Sequence, residues 1–347
     1  MRAELQTLLA SIEAVANARR SWTTRVSVWV MLDDGAGHVG VGEAAPLAGF
    51  SPESASDARR ALAALEWPER APMSLAAVRA VVERIDPALP SARFAAETAL
   101  TSLMASTFEV PLWALYADEA HAIPICAALL ADDVSAIEAG AREAAAFGMQ
   151  AVKLKVGRGD RQTERALLTI VRDVLPDAEL RLDANGAFSA DGIEERLAEL
   201  ARFAPAFLEE AAPLPVVLAR EAPAPFPLAV DESLAGDAEA RLEEALGCDD
   251  IGAVVLKPTL LGGVGRCLAL AQRARRAGRA VVVSHMLEGV IARAAAAHLA
   301  VILGGQAAGL GEHPALAPLS SGLLAGWIGI GWIEPPELPG LGLGVAW

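Results

Sequence analysis

The chain has 347 residues, 54% of them hydrophobic, with 44 acidic against 29 basic side chains and a formal net charge of -15. That length supplies a large buried core and room for one large domain with a smaller companion, and an acidic surface repels phosphate, which argues against nucleic acid as a partner. Cys126, Cys248 and Cys267 are far apart and lack CxxC spacing, which argues against disulfides and zinc and fits a reducing, cytoplasmic setting.

The first twenty residues read as an amphipathic helix carrying Glu4 and Glu13, not as a charged segment before an apolar one, so no signal peptide is expected. Ser21 to Glu43 reads as a hairpin, with RVSVWVML leading into Asp33-Asp34-Gly35 and HVGVGE following. After the loop AAPLAGFSPES, Ser51 and Pro52 are placed to start a helix, and helical patterns cover 52–66, 74–84 and 91–107. Residues 1–115 therefore read as an α+β capping domain.

From Ile123 the texture changes. The apolar runs IPICAALL, AVKLKVG, ELRLDAN, AFLEEA, PLAVDES, AVVLKPT, AVVVSHM and AGLGE alternate with helical stretches such as 133–147 and 189–203. Near-continuous apolar strands separated by helices imply a parallel sheet buried on both faces. Eight such units predict a (β/α)8-type barrel over 116–318. A doubly wound sheet is the rival fold, but no Gly-rich loop follows the first strand. The tail, 319–347, is rich in Gly, Pro and Trp and is expected to pack back on the capping domain. His313 to Ile333 lacks formal charge and is long enough to span a membrane, yet its prolines and glycines read better as loops. No membrane partner is expected, and the sequence leaves the oligomeric state open.

Five charged residues end successive barrel runs: Lys155, Asp183, Glu209, Asp231 and Lys257, spaced 22 to 28 apart. Ionisable groups that end buried strands are costly unless paired or bound to metal. In barrels, catalytic side chains lie at these C-terminal strand ends. Three hard oxygen donors, Asp183, Glu209 and Asp231, suit Mg²⁺, with Mn²⁺ as a substitute, and no His or Cys joins them to favour zinc. Taken singly, each could instead cap a helix or pair with a lysine. Lys153 and Lys155 lie two apart on one strand and face the same side, where each ammonium and a nearby dication would lower the other's pKa. A lysine so depressed serves as a general base, and Lys257 offers a second ammonium on the opposite face of a substrate.

The order KLK, DAN, EE, DES, LKP behind an α+β cap resembles the enolase superfamily in its muconate-lactonizing subgroup. GEAAPLAGFSPES (42–54), RLDAN (181–185) and LKPTLLGG (256–263) most resemble the o-succinylbenzoate synthase family. The resemblance implies Asp183, Glu209 and Asp231 as metal ligands, Lys155 as base and Lys257 as its opposite partner. Glu209 stands at the matching position, whereas Glu210 would point to the other side of the strand. The implied reaction is a Mg²⁺-dependent dehydration of a small carboxylate, 2-succinyl-6-hydroxy-2,4-cyclohexadiene-1-carboxylate, in menaquinone synthesis. An N-acylamino-acid racemase is the alternative, and a non-catalytic binding barrel is the alternative of another class.

Arg181, Asn185 and Ser284 are expected near the substrate together with Lys153. Ser284-His285-Met286 lacks the Asp-x-Asp with which dipeptide-acting members hold an amino group, which argues against dipeptides. The glycines of 262–265 suit either an anion site or a tight strand-to-helix turn. The loop from Leu47 to Phe50 is placed either to close over the site or simply to pack.

Overall fold

The computed structural model describes residues 1–16, 21–131, 133–311, 316 and 326–343. The N-terminal segment does not coil into the expected helix. It forms strand β1 (Arg2–Ala16), antiparallel to β2 (Ser21–Asp33), with pairing from Arg2 opposite Asp33 to Ala16 opposite Ser21 and a register shift between Ser11 and Val15. The Ala-, Leu- and Glu-rich composition favours helix, but β2 presents a long free edge, and pairing along it overrides local propensity. The predicted hairpin is present: β2 turns through Gly35, at φ 75°, into β3 (Val39–Ala44), and Asp33 and Asp34 accept hydrogen bonds from the turn N–H groups of Gly35 and Ala36.

Three helices cover this sheet: α1 (Ala55–Ala64), α2 (Leu75–Val82) and α3 (Pro90–Thr107). Ser54, not Ser51, caps α1 in a reciprocal box with Asp57, while the Ser51 hydroxyl accepts from the Leu47 N–H. Val28, Val30 and Leu32 of β2 are fully buried beneath these helices. The contact is close because β3 carries Gly40 and Gly42: a Cβ at either would lie about 2 Å from a carbonyl oxygen of α3, that of Ala99 or Ala95.

The second half alternates strands and helices. In chain order come β4 (Ile123–Pro124), β5 (Cys126–Leu129), α4 (Val134–Ala146), β6 (Ala151–Lys155), α5 (Arg161–Val174), β7 (Glu179–Asp183) and α6 (Ile193–Leu200). Next are β8 (Phe207–Glu209), α7 (Leu214–Leu218), β9 (Leu228–Val230), α8 (Ala238–Leu246) and β10 (Ile251–Leu256). The series ends with α9 (Pro258–Leu261), α10 (Val264–Arg276), β11 (Ala280–Val283), α11 (Val290–Leu303) and β12 (Trp332–Ile333).

Strands β5 to β11 form one parallel sheet in sequence order. The eighth run, AGLGE, makes only single bridges, Ala308 to Ile125 and Gly309 to Ser284, which join the two sheet edges and close the barrel. Alternation sorts the side chains. Val152, Leu154, Leu180, Leu182, Val254 and Leu256 pack outward against the helices, while Phe207, Ala229, Ala253, Val255 and Val282 cluster separately inside.

Of the expected tail, 326–333 and 334–343 are described. There β12 pairs with β4, Gly340 exchanges backbone hydrogen bonds with Val110 and Leu112, and Trp113 Nε1 donates to the Pro336 carbonyl at 2.9 Å. Much of the uncharged stretch from His313 lies outside the described residues. Among the described residues no helix is long and apolar enough to cross a membrane. The three thiols are free.

Carboxylates from the first half dock onto helix N-termini of the second. Glu43, at the end of β3, accepts from Gly289 and Ala292 N–H at the start of α11. Glu97 of α3 accepts from Val264 and Gly265 N–H at 2.6 and 2.9 Å, at the start of α10. A Cβ at Gly263 would lie 2.0 Å from Glu97 Oε2, and one at Gly289 2.6 Å from Glu43 Oε1, so these glycines admit the carboxylates. The anion served by the 262–265 glycines is therefore Glu97 of the same chain. Buried Arg25 adds a third tie, donating to the carbonyls of Ala45, Pro46 and Leu287.

Burial pushes the Glu97 carboxyl up to about 7, against the opposing pull of the Gly265 and Val264 N–H groups. A raised folded pKa means that the folded state holds the proton longer than the unfolded chain. Stability from this group is then greatest below pH 4.5 and falls as pH rises to about 7. Compared with Glu97→Gln in urea titrations across that range, the native protein should lose at most ~3 kcal/mol relative stability between the two limits and stay level outside them. A flat difference would show that Glu97 is not shifted. Separately, Gly42→Val should lower the unfolding free energy, measured in urea, by about 2 kcal/mol or more, by forcing α3 off β3.

Candidate active site

The barrel strands deliver their last residues to one rim. Register sets Lys155 opposite Asp183 and Asp183 opposite Glu209, with Asp231 and Lys257 following at the ends of β9 and β10. Sheet order therefore runs lysine, aspartate, glutamate, aspartate, lysine across five neighbouring strands. The three acids are 1 to 3% exposed, far too buried to carry charge without partners.

Their partners are ammonium groups. Lys153 Nζ lies 2.8 Å from Glu209 Oε2 and 3.3 Å from Asp183 Oδ2. Lys257 Nζ lies 2.5 Å from Asp231 Oδ2 and 5.8 Å from the centre of the Phe50 ring, so the loop ending in Phe50 reaches the site from the capping region. Trp22 Nε1 donates to the Ala48 carbonyl and steadies that loop.

Lys155 stands apart from the acids. Its Nζ donates to Asn185 Oδ1 at 3.2 Å. Burial is the main force lowering its pKa to about 8, opposed by Asp183 and assisted by the like charges of Lys153, Arg158 and Lys257. Lys153 departs from the expectation of mutual depression. Burial pulls its pKa down, but Glu209 and Asp183 overcome that and raise it. One lysine of the pair is thus locked as a cation and the other is poised to lose its proton. At both Asp183 and Glu209, burial works against ionisation. Three lysines outweigh it at Asp183, whose pKa falls, whereas at Glu209 burial dominates and the pKa rises.

Glu210 does turn away from the rim. At φ 43° it accepts from the N–H groups of Asp231 and Ser233 and from the Ser233 hydroxyl, bracing the turn after β9. Two other predicted contacts are engaged elsewhere. Arg181, 1% exposed, points to the opposite end of the barrel, where it binds Glu179 Oε1 and the Ala307 carbonyl and lies 5.0 Å from the Phe207 ring. Strand alternation turns it to the predicted face, one layer below the rim. Ser284 Oγ donates to the Gly309 carbonyl at the barrel seam, and His285 Nδ1 accepts from Leu287 N–H.

The residue that sequence reasoning passed over is Glu232. Burial and the neighbouring Asp231 push its carboxyl up to about 9. The acidic pair within AVDES was its only signal.

Among the described residues no three acidic, His or Cys side chains stand close enough to share an ion. The donor chemistry nevertheless fits one. Asp231 Oδ1 is buried without a hydrogen bond, and the three carboxylates are at present balanced by lysine ammonium groups, the role a hard dication would fill.

The chain is similar to known proteins. Residues 136–347 match the family described as Enolase C-terminal domain-like. An o-succinylbenzoate synthase from Thermosynechococcus vestitus is 31% identical over 294 residues, 83% of this chain and 84% of that protein. Among solved structures, the N-succinyl Arg/Lys racemase from Bacillus cereus superposes with a TM-score of 0.84 at 19% identity, over 98% of this chain and 94% of that one. The dipeptide epimerase from Methylococcus capsulatus, complexed with Mg and a dipeptide, gives 0.81 at 24% identity, over 98% of each. With its capping sheet, its closed parallel barrel and this relationship, the chain belongs to the enolase superfamily, in the muconate-lactonizing and epimerase subgroup.

Proposed function

We propose that this protein is a Mg²⁺-dependent o-succinylbenzoate synthase of menaquinone synthesis, dehydrating 2-succinyl-6-hydroxy-2,4-cyclohexadiene-1-carboxylate. The observation that carries this reading is the order of rim residues, with Lys155 and Lys257 flanking three buried carboxylates. The 31% identity to a synthase supports the choice of substrate.

Asp183, Glu209 and Asp231 would hold Mg²⁺, or Mn²⁺ in its place. When bound, the ion supplies positive charge facing the substrate carboxylate, where negative charge grows as the α-proton leaves. Lys155, neutral at its Nζ, takes that proton. The same amine, now an ammonium, gives it to the departing β-hydroxyl, so that the C–H and C–O bonds break and water is lost. Lys257 stays charged over the forming ring and stabilises it. Phe50, beside Lys257, would keep water from that face.

The racemase reading uses the two lysines on opposite faces and draws support from the likeness to an N-succinyl amino-acid racemase, which is a likeness of fold. Purified protein supplied with the cyclohexadiene should form o-succinylbenzoate, stop on addition of EDTA and recover with excess Mg²⁺. Deuterium exchange at the α-carbon of N-succinyl amino acids without dehydration would assign the racemase instead. Silence in both assays with Mg²⁺ bound would indicate a binding barrel.

Lys155→Ala should cut kcat by about a thousandfold or more while Mg²⁺ affinity, measured by calorimetry, stays unchanged. Residual activity near that of the native enzyme would remove Lys155 from the role of base. The reactive form is the neutral amine, so kcat/KM should rise with pH and level off. Its midpoint should lie at or below about 8, since a bound dication depresses the amine further. A rate that falls through this range would contradict the assignment.

A further inference from the structure

Glu232 has no part in the chemistry above, yet it is linked to the base. It follows Asp231 and opens the short turn Glu232–Leu234. Its Oε1 accepts from Asn185 Nδ2 at 3.4 Å, and its buried Oε2 makes no hydrogen bond among the described residues. Asn185 sits at φ 44°, in the left-handed region that asparagine tolerates better than most residues. Its backbone N–H donates to Asp183 Oδ1 at 3.0 Å, and its side-chain Oδ1 accepts from Lys155 Nζ. One asparagine thereby joins an acid of the rim, the base and Glu232.

The orientation of its amide has a chemical consequence. With Oδ1 toward Lys155, a neutral amine gives up one N–H and keeps its lone pair open. Turned over, the amide would aim Nδ2 at that lone pair and block the electrons a base needs. Backbone contacts do not distinguish the two orientations. Glu232 does, because its Oε1 accepts from Asn185 Nδ2 and so anchors the amide with Oδ1 toward Lys155.

We propose that Glu232 is a positioning residue which, through Asn185, keeps the lone pair of Lys155 directed at the substrate. This rests on the reading of Lys155 as the base. In the Mg²⁺-supplied enzyme, Glu232→Leu should lower kcat about tenfold with KM changed less than about twofold. Glu232→Gln, which retains an acceptor carbonyl, should remain within about threefold of native kcat. In an Asn185→Ala background, Glu232→Leu should cost less than about twofold, because the connection is already cut. An equal loss in both backgrounds overturns the proposal. So does weaker Mg²⁺ binding by calorimetry in Glu232→Leu, which would make the carboxylate part of the ion site. Glu232→Ser replaces the leucine variant if that fails to fold, with the same outcomes.

A second readout needs no turnover. In protein labelled at lysine ¹³Cε, the Lys155 resonance, assigned with Lys155→Arg, should move on Glu232→Leu and stay still when Asn185 is already Ala. If the native protein is inactive on every substrate above but this coupling is present, the proposed function fails and the positioning stands. If the enzyme is active and the resonance does not respond, the positioning fails alone.

Discussion

Lys153 lies between Asp183 and Glu209, at 3.3 and 2.8 Å, where two nearly inaccessible carboxylates would otherwise repel each other across adjacent strands. This pairing makes the rim possible. Buried like charges in a medium of low dielectric drive each other neutral. With a cation held between them, both acids stay on the same side of the barrel, facing where a substrate would enter. Asp231 is treated in the same way by Lys257. Among the described residues Lys155 has no carboxylate hydrogen-bond partner, and that separates it chemically from its neighbour two residues away.

The same economy of buried charge organises the junction between the two halves. Glu43 and Glu97 cross from the first half to helix N-termini in the second, and Arg25, anchored on the Ala45 and Pro46 carbonyls of its own half, crosses to the carbonyl of Leu287. These ties fix the angle at which the sheet and its helices sit over the barrel. The loop carrying Phe50 therefore reaches Lys257 from a supported base, with Trp22 holding its middle. The geometry of the rim is set partly by residues that never touch it.

Much of this was legible in the chain because two periodicities differ sharply. The hairpin from Ser21 and the apolar runs from Ile123 alternate or repeat in ways that only strands satisfy, and the charged residue ending each run marks the rim. The strand over Arg2–Ala16 was not legible. Its helix-forming composition is outweighed by an edge that exists only after β2 has folded. Arg181 was placed on the correct face but the wrong layer, since alternation gives direction and not depth. The eighth barrel run, AGLGE, falls where the sequence places it, but as two bridging residues, Ala308 and Gly309, between the sheet edges. Glu232 was hidden by its neighbour, as an acid beside a stronger candidate. The 262–265 glycines suit an anion site or a tight turn, and the sequence leaves both open; the anion they admit is Glu97, a residue about 165 positions away whose approach no local pattern encodes.

Gly263 and Glu97 fit as a socket fits a pin, with no space for a methyl group between them. Substitutions at the two positions are consequently coupled. A side chain in place of the glycine requires a shorter or retracted glutamate, and loss of the glutamate exposes two bare amides. Exchanging the N-terminal half for that of a distant cousin would break such matches at several points at once. Hybrid proteins built across this boundary need the complementary pairs transplanted along with the segment that carries them.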